Sequence, residues 1–244
     1  MGKIELSKRL TMIANMVSDA KVVADIGCDH AYTSIYIIEN KLAKKVIAMD
    51  VNKGPIEIAS KNVKLYGMED NIDVRLSDGT EKLEPAEADT LLISGMGGAL
   101  TVRILSMRPE ILKACKYLVL SPQSEIFLVR KYLEQIGYEI VLEDMVKDEG
   151  KFYVGIKAKN RGCCEDNIRN VFNYGNISIY DRFGKYLLES KNVVLKEYLE
   201  YILGQYEIVL DNLSRAQTDT VKERREEVQM LIKDIKEGMK YYGM

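Results

Sequence analysis

Short apolar runs, most of them ending in glycine or a carboxylate, alternate with amphipathic stretches over the first 160 residues of the chain. Leu6, Leu10, Ile13 and Val17 recur at helical spacing and predict an N-terminal amphipathic helix, with Lys8 and Arg9 on its wetter side. Strands are expected at residues 21–26, Lys45–Met49, Ile72–Leu76, Thr90–Ser94 and Tyr117–Leu120. Helices are expected between them: Ser34–Asn40, a segment starting at Pro55 and stopping at Gly67, and Leu100–Met107. Ser124 is placed to cap a further helix running to Ile136, which Gly137 ends. Residues 138–146 and 152–158 read as two strands joined by a turn around Asp148-Glu149-Gly150. Five strand–helix alternations closing on a strand hairpin fit an α/β sheet with an antiparallel edge.

The pattern changes near Asn160-Arg161-Gly162, which divides the chain into an expected α/β domain over residues 1–160 and a helical domain over 161–244. Leu195, Leu199, Ile202, Tyr206, Val209 and Leu213 alternate at spacings of four and three, a heptad seam. After a break at Ser214–Asp219, Thr220 and Glu223 form a capping-box pair. Val221, Val228, Ile232, Ile235 and Met239 then supply a second apolar stripe. Two helices of this length joined by a short turn are expected to fold back as an antiparallel hairpin.

Composition adds limits. At 244 residues the chain is long enough for one α/β domain plus an appendage. A formal charge of −2 gives no global sign of nucleic-acid binding, and it leaves room for a local basic patch. Four cysteines (Cys28, Cys115, Cys163 and Cys164) show no C-x-x-C spacing, and there is a single histidine, so no metal site is expected. No signal peptide and no apolar run of membrane-spanning length is evident, which predicts a soluble, cytoplasmic protein with no membrane partner.

The turn Asp25-Ile26-Gly27-Cys28-Asp29-His30-Ala31-Tyr32 carries the chemistry. A dinucleotide site needs G-x-G-x-x-G; here only Gly27 is present, with Asp29 and Tyr32 at the other two glycine positions. A carboxylate at Asp29 repels a pyrophosphate and suits a cofactor bearing a positive sulfonium. Asp50 ends the second strand, placed to accept bonds from both ribose hydroxyls, and Asp78 ends the third, where it can accept from an adenine amino group. Ligands of parallel sheets bind at the carboxyl ends of strands. These ends, with Ser94-Gly95-Met96-Gly97-Gly98 after the fourth strand, are therefore expected to line one crevice that suits S-adenosylmethionine better than NAD. No Ser/His/Asp or Cys/His nucleophile set is evident. Glycines at 97 and 98 either let a flat base approach bare backbone, with Met96 on its face, or simply permit strand-to-helix packing. His30 either serves the site or caps the following helix.

The Asp25–Tyr32 turn, the Ser94–Gly98 loop and the early Leu6-Ser7-Lys8-Arg9-Leu10 resemble the bacterial tRNA (adenine-22-N1)-methyltransferase family over nearly the whole chain. The resemblance implies a Rossmann-like class I methyltransferase sheet with a terminal strand hairpin, plus a C-terminal α-helical coiled-coil hairpin. It also implies S-adenosylmethionine as cofactor and transfer of its methyl group to N1 of an adenine in tRNA. Gly27, Asp29, Asp50, Asp78, Ser94 and Gly95 then fall at cofactor-pocket positions, and Asp25, His30, Val51 and Gly79 complete that set. Arg9, Met96 and Gly97 face the acceptor, and Asp29 is the candidate for positioning the reactants. Two departures are Cys28, where serine is expected, and Ser121-Pro122-Gln123, where Gln-Pro-Asn is expected. Candidate RNA contacts are Lys3, Lys8, Arg9, Arg103, Arg108, Arg182 and Lys185, with Lys222, Arg224 and Arg225 in the tail. The heptads do not separate tRNA binding from dimerisation, and a monomer is favoured. Rival readings are a methyltransferase for another RNA or a small molecule, and a non-catalytic S-adenosylmethionine-binding scaffold working through its helical hairpin.

Overall fold

The computed structural model describes residues 4–18, 20–162, 177–213 and 219–244. The chain separates into two compact units, residues 1–175 and 176–244.

The first unit is built on a seven-stranded sheet: β1 (Val22–Ile26), β2 (Lys45–Asp50), β3 (Ile72–Leu76), β4 (Thr90–Ser94), β5 (Tyr117–Ser121), β6 (Tyr138–Asp148) and β7 (Lys151–Asn160). Their order across the sheet is β3-β2-β1-β4-β5-β7-β6. β1 to β5 run parallel, and β7 lies antiparallel to both β5 and β6. The direction of winding reverses between β1 and β4, and such a switch point opens a crevice beyond the carboxyl ends of the strands. The central strands β1, β4 and β5 are buried almost throughout, as strands covered on both faces must be, whereas the edge strand β3 is half exposed. Glu149 and Gly150 close the β6–β7 hairpin with φ of 47° and 78°, the left-handed pair that a two-residue turn requires.

Among the described residues six helices accompany the sheet: α1 (Lys8–Met16), α2 (Tyr32–Glu39), α3 (Lys53–Leu65), α4 (Gly98–Met107), α5 (Pro109–Ala114) and α6 (Ile126–Gln135). On one face Ile13, Val17, Ile35, Ile37, Ala59 and Val63 pack over Val23, Ala48, Leu92 and Val119. α1 is shorter than expected: Leu6 precedes it, while Ile13 and Val17 are buried. Pro55 sits within the first turn of α3, where its missing N–H costs nothing, and Gly67 follows the C-cap at φ 65°. Periodicity gave no sign of α5, because six residues are too few to show a stripe; Pro109 in its first turn begins it. Ser124 does not cap α6: Glu125 holds the N-cap position at φ 49°, with no side-chain cap bond. The Ser124 carbonyl instead accepts the Gly98 N–H at 2.9 Å.

The second unit contains α7 (Ile179–Phe183), α8 (Lys185–Glu189), α9 (Val193–Leu213) and α10 (Asp219–Met239). Ser178 and Asp181 form a reciprocal capping box that starts α7. α9 and α10 are each 21 residues long and pack against one another. Lys236 approaches Glu207 at 3.5 Å, and Gly238 stands close to Leu199 and Phe183, as an antiparallel arrangement demands. Only the near part of the expected seam is buried. Leu195 and Leu199 are covered, along with Val228, Ile232 and Ile235, whereas Val209 is 36% exposed. Phe183 and Leu187 thicken the core at that near end, while among the described residues the far end is formed by α9 and α10 alone. The expected break lies largely outside the described residues, and α10 starts at Asp219, one residue ahead of Thr220.

Candidate active site

The turn after β1 is built from backbone in unusual conformations. Gly27, Asp29 and Ala31 have φ of 77°, 50° and 61°. Only glycine adopts this region freely, so the two non-glycine residues store strain that surrounding bonds must hold. The Gly27 and Cys28 N–H groups both donate to the Met49 carbonyl, at 2.8 and 2.9 Å, tying the turn to the end of β2. Asp50 completes the clamp. Its Oδ2 accepts the Asp29 N–H at 3.3 Å and its Oδ1 accepts the Asn52 N–H at 2.8 Å. No side chain caps α2, so capping is not the role of His30. The His30 carbonyl instead accepts Asn62 Nδ2 at 2.9 Å, and its imidazole lies 3.5 Å from the Asp29 carboxylate.

Asp25, one of the last residues of β1, is buried and accepts the Ser34 hydroxyl at 2.6 Å. Burial pushes its pKa up to about 6; the Ser34 hydrogen bond opposes this shift and the Asp50 charge adds to it. Cys28 is held well above the usual thiol range, first by burial and then by the carboxylates of Asp25, Asp50 and Asp29. A thiol so disfavoured as thiolate is a packing group rather than a nucleophile.

The opposite wall comes from the loops after β4 and β5, which are stitched together by backbone bonds. Gly95 N–H donates to Ser121 O (3.2 Å), Gln123 N–H to Met96 O (2.8 Å) and Gly98 N–H to Ser124 O (2.9 Å). A Cβ on Gly98 would stand 2.5 Å from the Glu125 carbonyl oxygen and 2.7 Å from that of Ser124, so Gly98 is required for packing. The terminal methyl of Met96 occupies the place where a Cβ on Gly27 would be, bringing the two loops into direct contact. Ser94 Oγ is buried with no hydrogen-bond partner among the described residues. Arg9, from α1, lays its guanidinium over the Tyr153 ring at 5.4 Å, and its backbone N–H donates to Asp148 in the hairpin turn.

Together these groups enclose a cavity of about 370 Å³. Nine of the expected residues line it: Arg9, Asp25, Gly27, Asp29, His30, Asp50, Ser94, Gly95 and Met96. Four do not. Val51 is 57% exposed, Asp78 is exposed beyond β3, Gly79 is packed against Met107 and Ile104, and Gly97 faces Ser124. The cavity also takes in Leu10, Asn52, Pro55 and Gln123. Gln123 had a legible signal, lying two residues past the carboxyl end of β5. Among the basic residues considered for RNA, Arg108 is engaged by Glu110 and by the carbonyls of Glu81 and Leu83, and Arg182 by Asp234. Among the described residues no group of His, Cys, Asp and Glu could hold a metal ion, and no helix is long and apolar enough to cross a membrane.

The donor set fits S-adenosylmethionine. Among the described residues, three carboxylates line a space where Arg9 is the one arginine or lysine, the glycine turn admits a ligand close to backbone, and Ser94 Oγ lacks a partner. A pyrophosphate would meet that negative field unfavourably.

Comparison with known proteins agrees. A family described as a methyltransferase domain matches residues 6–156. The tRNA (adenine(22)-N(1))-methyltransferase of Bacillus subtilis is 31% identical over 231 residues, covering 93% of this chain and 94% of that protein. The crystal structure of the B. subtilis m1A22 tRNA methyltransferase TrmK superposes with a TM-score of 0.84 at 29% identity, covering 97% and 99% of the two chains. A candidate tRNA (m1A22) methyltransferase of Streptococcus pneumoniae, solved in complex with S-adenosyl-L-methionine, superposes with a TM-score of 0.82 at 29% identity, covering 96% and 100%. Likeness of this extent, in sequence and along both units, places the chain in the tRNA (adenine(22)-N(1))-methyltransferase family.

Proposed function

We propose that this protein transfers a methyl group from S-adenosylmethionine to N1 of the adenine at position 22 of tRNA. The observation that carries the reading is one cavity at the sheet's switch point, lined by Asp25, Asp29 and Asp50 on one side and by the Ser94–Met96 loop on the other. When bound, S-adenosylmethionine supplies an electrophilic methyl group on a cationic sulfur. Asp50 would hold its ribose through the lone pairs left over from the Asp29 and Asn52 N–H groups. Asp29 and Asp25 would supply negative potential that suits a cationic sulfur, and Gly27 would let the cofactor approach the backbone.

Adenine N1 carries its own lone pair, so methylation yields a cationic base and no proton is removed. The chain therefore has to align the acceptor and place charge, and a nucleophile–base pair is not required. Arg9 and Met96 are assigned to the acceptor side, and residues 161–244 to holding the body of the tRNA, from which the target base must be drawn out. A tRNA substrate supports work in the cytoplasm. Incubating the purified protein with cofactor and a transcript bearing adenine 22, then mapping its nucleosides by mass, is expected to show one N1-methyladenosine in the D arm. Absence of that product on every tRNA offered overturns the reading.

A further inference from the structure

We infer that Gln123 selects adenine by pairing with its N6–N7 edge, leaving N1 free for the methyl group; this rests on the tRNA reading above. The position of Gln123 is fixed by long-range bonds. The three backbone bonds between the loops after β4 and β5 hold its Cα in register with Gly95 and Met96. Its amide nitrogen lies 3.8 Å from the point where a Cβ on Gly95 would stand, and an Arg9 guanidinium nitrogen lies 4.0 Å from the same point. Gly95 itself has φ of 85° and no side chain, so a flat base can lie on this backbone with an edge toward Gln123. The Gln123 side chain is exposed to the cavity.

The chemistry of the base then narrows its partner. Pairing along the Watson–Crick edge would occupy N1, the atom that has to be alkylated. The remaining polar edge of adenine presents N7 as an acceptor and the N6 amino group as a donor. A glutamine amide matches that pair, one donor to one acceptor in each direction. Guanine presents acceptors at both N7 and O6, and would set an oxygen against the amide oxygen. The Ser94 hydroxyl makes no such distinction, because it rotates to suit either a donor or an acceptor.

The test combines Gln123→Ala with a ligated tRNA carrying 7-deazaadenine at position 22, which lacks the N7 acceptor. On natural tRNA, Gln123→Ala is expected to lower kcat/KM about ten- to hundredfold. Cofactor affinity measured by calorimetry stays as in the wild type, which also reports that the pocket is folded. The wild type is expected to lose about tenfold on the 7-deaza substrate, and Gln123→Ala to lose nothing further, because the paired group is already gone. Unchanged kcat/KM for Gln123→Ala on natural tRNA, or losses from variant and base that multiply, overturns the assignment while leaving the enzyme a tRNA adenine methyltransferase. Failure of the wild type to methylate any tRNA adenine overturns both.

Discussion

Asp50 holds Asp29 by its backbone: the carboxylate at the end of β2 accepts the N–H of a residue whose φ is 50°, at 3.3 Å. One side chain thus both sustains the strained turn after β1 and faces the cavity, and the two roles are separable by charge. Asp50→Ala removes the acceptor altogether and is expected to weaken S-adenosylmethionine binding about a hundredfold, as loss of two bonds to a charged acceptor implies. Asp50→Asn keeps one backbone acceptor and is expected to lose about tenfold. Calorimetric titration checks both, and cofactor affinity unchanged in Asp50→Ala would remove Asp50 from the pocket.

Gly27→Ala meets two obstacles, a φ of 77° and the Met96 methyl standing where the new Cβ must go. The dihedral alone costs about 1–2 kcal/mol, and it stays unfavourable however Met96 moves. Adding Met96→Ala is therefore expected to restore only part of the stability lost, read from chemical denaturation of the single and double variants.

The adjacent glycines 97 and 98 give a sharp contrast. Gly98→Ala drives a methyl into the backbone at Ser124 and Glu125, which cannot rotate away, and is expected to cost about 2–4 kcal/mol. Gly97→Ala meets only the Ser124 hydroxyl at 3.0 Å, a group free to turn, and is expected to cost about 1 kcal/mol or less. Equal losses in thermal melts would contradict this account of the two loops.

Asp25 makes stability depend on pH in a defined window. Its pKa is about 6 in the folded chain against 3.8 for an ordinary aspartate. Between these values the native state holds a proton that the unfolded chain has released, so the contribution of Asp25 to stability falls as pH rises. The cost is absent below the lower value and complete above about pH 6, amounting to about 3 kcal/mol at full extent. Asn in its place keeps an acceptor for the Ser34 hydroxyl. The stability of Asp25→Asn relative to wild type is thus expected to rise from pH 4 to pH 6 and level off above. A difference that is flat across this range would place the titration elsewhere.

Removing residues 177–244 is expected to leave cofactor affinity within about twofold while lowering tRNA affinity at least tenfold, since the cofactor cavity is lined wholly by residues of the first unit. Filter binding and calorimetry on the same preparation separate the two effects. Loss of both together would tie the helical unit to the cofactor site.

The order of the strands and of the longer helices, and the carboxylates near the ends of β1 and β2, could be read from the sequence alone, whereas the short α5, α7 and α8 could not. Buried parallel strands are local apolar runs, and the residues that end them are fixed by adjacency. The missing glycine at position 29 likewise pointed to the cofactor through charge alone. Position across the sheet was another matter. Asp78 reads as equivalent to Asp50, yet it lies exposed on the loop beyond the edge strand β3 and is not among the residues lining the cavity. Arg9 reads as a wet helix residue, yet Tyr153, 144 positions further along the chain, receives its guanidinium. Gln123 and Gly98 acquire their places only when two loops separated by a whole strand–helix unit bond to each other. The local pattern determined which elements form; the tertiary structure decided which of their ends share the cavity, because that depends on contacts between segments far apart in sequence.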